Sequence, residues 1–184
     1  MEAEDNYFSG IETERLVLRE INESDIDFVF THFSNEDVCR YLYDEEPLTS
    51  REEAEQIIEW YKNPRGKNHN RWIILNKESK ESMGTCGYHR WDKKNKTAEI
   101  GYDLGKDFWG KGYMKEALIY IIKRGFSVMD LNRIQAFISI DNARSYKLLE
   151  SIGFTREGVI RDKHLFRGRY YDHYCYSLLK RDFM

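Results

Sequence analysis

The sequence predicts a mixed α/β fold in a single domain, and three observations carry that prediction. Apolar spacing switches repeatedly between a period of two and one near 3.6, as it does where strands and helices alternate along a chain. At 184 residues, 41% hydrophobic and 15% aromatic, the chain is long and apolar enough to bury one sizeable core. Pro47 and Pro64 are its only prolines, and no low-complexity tract or internal repeat marks a linker between units.

Each element has a local reason. "RLVLREI" (15–21) sets Leu16, Leu18 and Ile21 against a core at strand spacing, and "NESDIDFVFTHF" (22–33) supplies caps and a helical apolar pattern. In "TSREEAEQIIEWYKNP" (49–64), Ser50 and Glu53 match a capping box, Ala54, Ile57, Ile58 and Tyr61 form one face, and Pro64 stops the helix. "RWIILN", "SMGTCGYHRW" and "TAEIGYDL" read as three successive strands of an antiparallel meander, separated by polar turns. Next, Met114, Ala117, Leu118, Ile121, Ile122 and Gly125 fall on one face of a helix that packs on a sheet. "RIQAFISI" (133–140) turns Ile134, Ala136, Ile138 and Ile140 inward, and "DNARSYKLLESIGF" opens on an Asn142 cap and ends at Gly153. The tail gives two strands around Arg167-Gly168-Arg169, a hairpin turn. The predicted order is β, α, α, β, β, β, α, β, α, β, β.

Composition excludes several function classes. A formal charge of -3, from 29 basic and 32 acidic residues mixed along the chain, gives no field for nucleic acid or an anionic membrane. The start, "MEAEDNYFSG", lacks an apolar signal core, and no run nears the roughly 20 apolar residues of a membrane span, so a soluble cytoplasmic protein is expected. Cys39, Cys86 and Cys175 are odd in number and far apart, which predicts packed, reduced thiols. His32, His69, His89, His164 and His173 lack ligand spacing, so no metal centre is expected.

The segment with a chemical signal is "DFWGKGYM" (107–114). A strand ending near Leu104, a turn with Gly110 and Gly112 and then a helix start make a generic anion site, because the first helical N–H groups are unpaired and the helix dipole is positive there. The spacing matches neither a Walker loop, since no Lys-Ser or Lys-Thr pair is present, nor a dinucleotide fingerprint, since a third glycine is missing. On the glycines alone, a plain structural turn stays open beside an anion site.

"AEIGYDL", "WGKGYMKEAL", "DNARSYKLLESIGF" and "RDKHLFRGRYYDHYCYSLL", in this order and spacing, resemble the GNAT superfamily of acetyl-CoA-dependent N-acetyltransferases. The similarity is nearest to the ribosomal-protein N-acetyltransferase (RimJ/RimL-type) branch, and it runs from "ETERLVLREI" to "YSLLKRD". It implies a mostly antiparallel central sheet flanked by helices, in one domain over 13–184 behind a flexible segment, 1–12. It further implies that the main chain of Tyr102, Asp103 and Leu104 pairs with the pantetheine arm of acetyl-CoA. The pyrophosphate would sit on Trp109, Gly110, Lys111, Gly112, Tyr113 and Met114. The family pattern, [Gln/Arg]-x-x-Gly-x-[Gly/Ala], begins here with Asp107, whose carboxylate repels a pyrophosphate unless it points away. Lys111 is a candidate compensating charge, with a plain exposed lysine as the alternative.

Acetyl transfer to an amine needs a neutral amine, a donor for the thioester oxygen and a proton for the departing thiolate. Glu99 is the candidate base. Strand alternation separates Glu99, Gly101 and Asp103 from Ala98, Ile100, Tyr102 and Leu104, which turns Glu99 to the acceptor cleft; a solvated strand carboxylate is the alternative. A protein α-amine with a pKa of about 7.7 to 8.0 asks little of a base, whereas a lysine near 10.4 asks much. The oxygen would be met by an N–H near Tyr102, where related folds carry a bulge. Many relatives place a tyrosine acid seven residues after the equivalent of Asn142, but here that residue is Leu149. The resemblance instead assigns Ser145 to the coenzyme sulfur and Asn142 to the pantetheine amide, with helix capping as the plain alternative for both. Trp60, Tyr61, Trp72, Tyr88 and Trp91 line an acceptor groove or belong to the core, and His89 is a second base candidate. The aromatic tail is either a homodimer edge or an exposed hairpin. The implied acceptor is a primary amine, in this branch the N-terminus of a ribosomal or other protein. A small-amine acetyltransferase (polyamine, amino acid or aminoglycoside) and a noncatalytic coenzyme A-binding module are the competing readings.

Overall fold

A computed structural model describes residues 7–183. The strands are β1 (Ile11–Glu12), β2 (Leu16–Glu20), β3 (Trp72–Asn76), β4 (Ser82–Asp92), β5 (Thr97–Leu104), β6 (Arg133–Ser139), β7 (Thr155–Phe166) and β8 (Arg169–Leu179). The helices are α1 (Ile26–Phe33), α2 (Glu36–Cys39), α3 (Arg51–Tyr61), α4 (Tyr113–Ser127) and α5 (Ala143–Ile152). One sheet holds the strands in the order β1-β2-β3-β4-β5-β6-β8-β7. Its pairs are antiparallel except β5 with β6, whose parallel connection is the crossover through α4.

The predicted order holds, with the short β1 and α2 added. Local chemistry accounts for most boundaries. Ser50 Oγ accepts the Glu53 N–H at 3.4 Å while Glu53 takes the Ser50 N–H at 3.1 Å, closing the capping box of α3. Gly153 ends α5 in the left-handed region, at φ 106°. Arg167 and Gly168, both at positive φ, form the two-residue turn that joins β7 to β8.

Two cores cover the two faces of the sheet. α4 packs Ala117, Leu118, Ile121 and Ile122 against Leu16, Trp72, Tyr88 and Ile134, while Val29, Phe33, Ala54 and Ile58 of α1 and α3 pack on Ile73. Strand alternation sends Trp72 and Ile74 to the first core and Ile73 to the second. Tyr88 crosses the first core to donate its hydroxyl proton to the Ile121 carbonyl at 2.8 Å. Gly125 permits that approach, since a Cβ there would lie 2.5 Å from the tyrosine oxygen.

Two expectations need correction. The domain begins before residue 13: Phe8 and Ile11 are buried, Ile11–Glu12 pairs with β2, and the Trp72 indole N–H donates to the Phe8 carbonyl at 2.9 Å. Residues 1–6 of the expected flexible segment lie outside the described residues. Ile140 is exposed, not inward, because β6 ends at Ser139 and the chain has already turned toward α5. Among the described residues, no helix is long and apolar enough to cross a membrane.

The feature that positions the site is a splay. β5 and β6 pair only over Thr97–Glu99 and Arg133–Gln135. Beyond that, β5 stays on β4 as far as Leu104 and β6 stays on β8 as far as Ser139, so each is held by its outer neighbour and a gap opens between them.

Candidate active site

A cavity of about 1360 Å³ fills this gap and extends to both faces of the sheet. Of the residues singled out in the sequence, Glu99, Tyr102, Asp103, Leu104, Trp109, Gly110, Gly112, Tyr113, Met114, Asn142 and Ser145 all line it. Lys111 does not: it is exposed, and its carbonyl accepts from Arg15 Nη1 at 3.0 Å.

The main chain of β5 sorts itself by alternation. Gly105 N–H reaches the Met83 carbonyl at 2.8 Å, so Asp103 and Gly101 turn their main-chain groups to β4, and Leu104 and Tyr102 turn theirs to the gap. This corrects the expectation for Asp103, whose main chain is committed to the sheet. It also removes the bulge: β5 runs in unbroken register from Glu99 to Leu104 against β4, and alternation alone presents the Tyr102 N–H. Leu104 has its carbonyl occupied by the Trp109 indole N–H at 2.7 Å, which ties the strand end to the turn that follows.

Gly112 caps α4 at φ 80° and Gly110 sits at φ 74°, conformations that glycine adopts without strain. A Cβ on Gly110 would meet nothing within 4 Å, so the turn is open toward the cavity. The first N–H groups of α4 have no partner inside the helix. Asp107 is exposed in a short 3-10 turn (Lys106–Phe108) and is absent from the cavity wall, so its charge does not oppose an anion there. Arg144, from α5, lies 3.9 Å over the Trp109 ring and brings a cation to the opposite rim.

Glu99 and Asp103 share the face toward α1 and α3, but with different environments. Burial pushes the Glu99 carboxyl above the ordinary carboxylate range, against the opposing pull of Arg90, 3.4 Å away, and of Lys163. Asp103 takes hydrogen bonds from His32 Nε2 at 2.6 Å, Thr85 Oγ1 at 2.6 Å and Arg71 at 3.2 Å. Burial alone would raise its pKa, but these partners hold it below the usual value. His89 is a poor base, since burial and the nearby Arg71 push its imidazole down to about 3. Trp72, Tyr88 and Trp91 belong to the core, whereas Tyr61 and the exposed Trp60 line the cavity.

Sequence reasoning missed two parts of the site. The segment 40–49 runs over the cavity to the β7–β8 hairpin, stacking Tyr43 on Tyr171 at 3.9 Å and pairing Glu46 with Arg167 at 2.7 Å. Its residues have no period, and no local signal exposed this. The second is the Tyr102 side chain. Its hydroxyl lies 2.8 Å from Ser145 Oγ, across the mouth of the gap, and burial pushes its pKa well up. Alternation had already placed that ring on the face opposite Glu99; that α5 covers this face is what the structure adds. Asn142 Oδ1 caps α5 by accepting the Ser145 N–H at 3.2 Å, and Leu149 is fully buried core.

The arrangement offers an open strand edge, a helix N-terminus, a carboxyl of raised pKa and a hydroxyl pair around one gap. Residues 15–155 match the sequence profile of the acetyltransferase (GNAT) domain. The uncharacterised N-acetyltransferase p20 of Bacillus licheniformis is 40% identical over 172 residues, 93% of this chain and 96% of that one. YdaF of Bacillus subtilis (strain 168), a candidate ribosomal N-acetyltransferase, is 38% identical over 99 residues, 54% of each chain. The crystal structure of spermidine N-acetyltransferase from Vibrio cholerae in complex with CoA and spermine superposes with a TM-score of 0.82, covering 93% of this chain and 99% of that one. At 22% identity, that likeness is one of fold.

Proposed function

Because the chain belongs to the GNAT acetyltransferase family and is thereby an acetyl-CoA-dependent N-acetyltransferase, we propose that its acceptor is the α-amine of a protein N-terminus, as in the ribosomal-protein (RimJ/RimL-type) branch. The observation that carries this reading is the charge around Glu99. Arg90 and Lys163 both draw on its carboxyl while Asp44, from the segment over the cavity, opposes them, so the carboxylate has two cations and one anion as its charged neighbours. A peptide carries a single amine for Glu99, followed by carbonyls that accept from such cations. The partial likeness to YdaF supports the same class.

The fit of the coenzyme rests on this chain's own groups. Tyr102, with the N–H of Leu104, offers main-chain partners to the pantetheine arm, and the open turn from Trp109 to Met114, with Gly110 and Gly112, suits a pyrophosphate. Acetyl-CoA supplies the activated acyl group. Glu99 takes a proton from the ammonium, through water, and passes it to solvent. The amine nitrogen then bonds the acetyl carbon as the carbon–sulfur bond breaks, the Tyr102 N–H donates to the carbonyl oxygen as charge builds on it, and the Ser145 hydroxyl donates to the departing sulfur. Of the two protons left on nitrogen, one ends on that sulfur and the other stays, giving amide and free thiol.

Mass spectrometry of mixed acceptors incubated with acetyl-CoA tests the reading. Peptides with Ser, Ala or Met N-termini should gain one acetyl group on the α-amine, ahead of polyamines, free amino acids and aminoglycosides. Product confined to small amines would overturn it in favour of metabolite modification.

A further inference from the structure

The Tyr102–Ser145 pair has one ambiguity that chemistry resolves. Each hydroxyl has a single proton, and the two oxygens are 2.8 Å apart. If Ser145 donates to Tyr102, the phenol must send its proton to the Ser145 carbonyl at 3.4 Å, and the serine has none left for a ligand. If Tyr102 donates to Ser145 Oγ, its proton is used at 2.8 Å and the serine O–H is free to point into the gap. The second arrangement has the better geometry. Ser145 itself is anchored, because its N–H is held by the Asn142 cap in the first turn of α5.

We propose that Tyr102 is a positioning residue: by donating its phenolic proton to Ser145 Oγ, it turns the serine hydroxyl toward the sulfur of coenzyme A. This rests on the reading of Ser145 as the hydrogen-bond donor to that sulfur. Burial keeps the phenol protonated through the neutral range, so the donor is always loaded. Alternation puts Glu99 on the opposite face of β5 from the Tyr102 ring, so one strand carries the amine-side group on one face and the thiol-side group on the other. Leu149, buried in the core, offers no hydroxyl from the next turn of α5; the tyrosine comes from the strand instead.

The test needs no acceptor. The pKa of the bound coenzyme A thiol is read from ultraviolet thiolate absorbance against pH, with desulfo-coenzyme A as the blank for the protein's own groups. Ser145→Ala should raise the bound thiol by about one pH unit, the tenfold loss expected when an anion loses one hydrogen bond. Tyr102→Phe should raise it by at least about half as much, and the double variant should match Ser145→Ala alone, since the tyrosine acts through the serine. Thermal unfolding should stay close to that of the parent, which separates a lost hydrogen bond from a disturbed fold. A shift in Ser145→Ala without one in Tyr102→Phe would overturn the role of Tyr102 and leave that of Ser145 standing. No shift in either would overturn the Ser145 reading itself, and additive shifts would show that the tyrosine acts independently.

Discussion

Replacing Asp103 by Asn should destabilise the whole domain, and the size of the effect follows from what the carboxylate neutralises. Its side chain is 7% exposed and lies against Arg71, whose own side chain is 16% exposed. Arg71 also contacts the Tyr61 ring and hydroxyl, yet its Nε is buried without a hydrogen-bond partner, so the guanidinium has little in reserve. Asparagine preserves the shape and can still accept from Thr85, but it leaves a buried cation without a counter-charge, a loss worth about 3 to 5 kcal/mol. For a domain of this length, each kcal/mol moves the Tm by about 2 to 4 °C, so Asp103→Asn should melt roughly 6 to 20 °C lower near pH 7. The pH dependence has a definite sign. The folded pKa of Asp103 lies below its ordinary value, so its stabilisation is present above the unfolded value of about 3.9 and is lost as the pH falls through the folded one. The gap between parent and variant should therefore be full at neutral pH and shrink below about pH 4. Adding Arg71→Met should recover at least half of the loss, because an apolar pair replaces an orphaned charge. Scanning calorimetry across this range measures both. A Tm change under about 2 °C at pH 7, or a double variant worse than the single one, would refute the reasoning.

Glu99→Gln should lower turnover at pH 7 by about a hundredfold, the usual worth of a positioned base, and pH-rate profiles should show the deficit narrowing above the α-amine pKa of about 7.7 to 8.0, where the acceptor is already neutral. Gly110→Ala should cost about 1 kcal/mol of stability through its left-handed backbone alone, since its Cβ meets nothing, and Gly112→Val should weaken acetyl-CoA binding at least about tenfold by calorimetry while circular dichroism stays unchanged. Burial pushes the Cys39 thiol up to about 11 and the Cys86 thiol higher still, so iodoacetamide at pH 7.5 should leave both unmodified in the native protein and label them after denaturation.

What the sequence makes legible is whatever has a local cause. The capping box at Ser50 and Glu53, the apolar face of α4, the Asn142 cap and the Gly153 stop depend on residues within a few positions of one another, and each appears where its spacing predicts. The glycine turn was legible for the same reason. What stayed hidden depends on distant partners: the Asp103 carboxylate draws on residues 32, 71 and 85, which lie 71, 32 and 18 positions earlier in the chain, and the segment 40–49 finds its contacts on a hairpin more than a hundred residues later. Asp103 is instructive because strand alternation assigned its face correctly, yet the main-chain role expected of it failed. The missing information was which edge of β5 its N–H and carbonyl address, and that is fixed by the register with β4.

That register also gives one short strand the two faces that the proposed reaction needs. Side chains alternate across the faces of β5 with period two, and main-chain groups alternate between its edges with the same period. Tyr102 is where both alternations favour the side proposed for the coenzyme, with its N–H toward the gap and its ring toward Ser145. Glu99, three residues earlier, lies on the opposite face, proposed for the acceptor, at the last position where β6 is still paired, so its carboxyl stands at the apex of the splay. A one-residue slip of β5 against β4 would exchange the faces, sending the base toward α5 and the phenol toward α3, and would turn the Tyr102 main chain into the sheet. The splay of β6 creates the space, but the register of β5 decides which chemistry faces each side of it. Substitutions that loosen the β4–β5 pairing should therefore damage catalysis more than they damage stability.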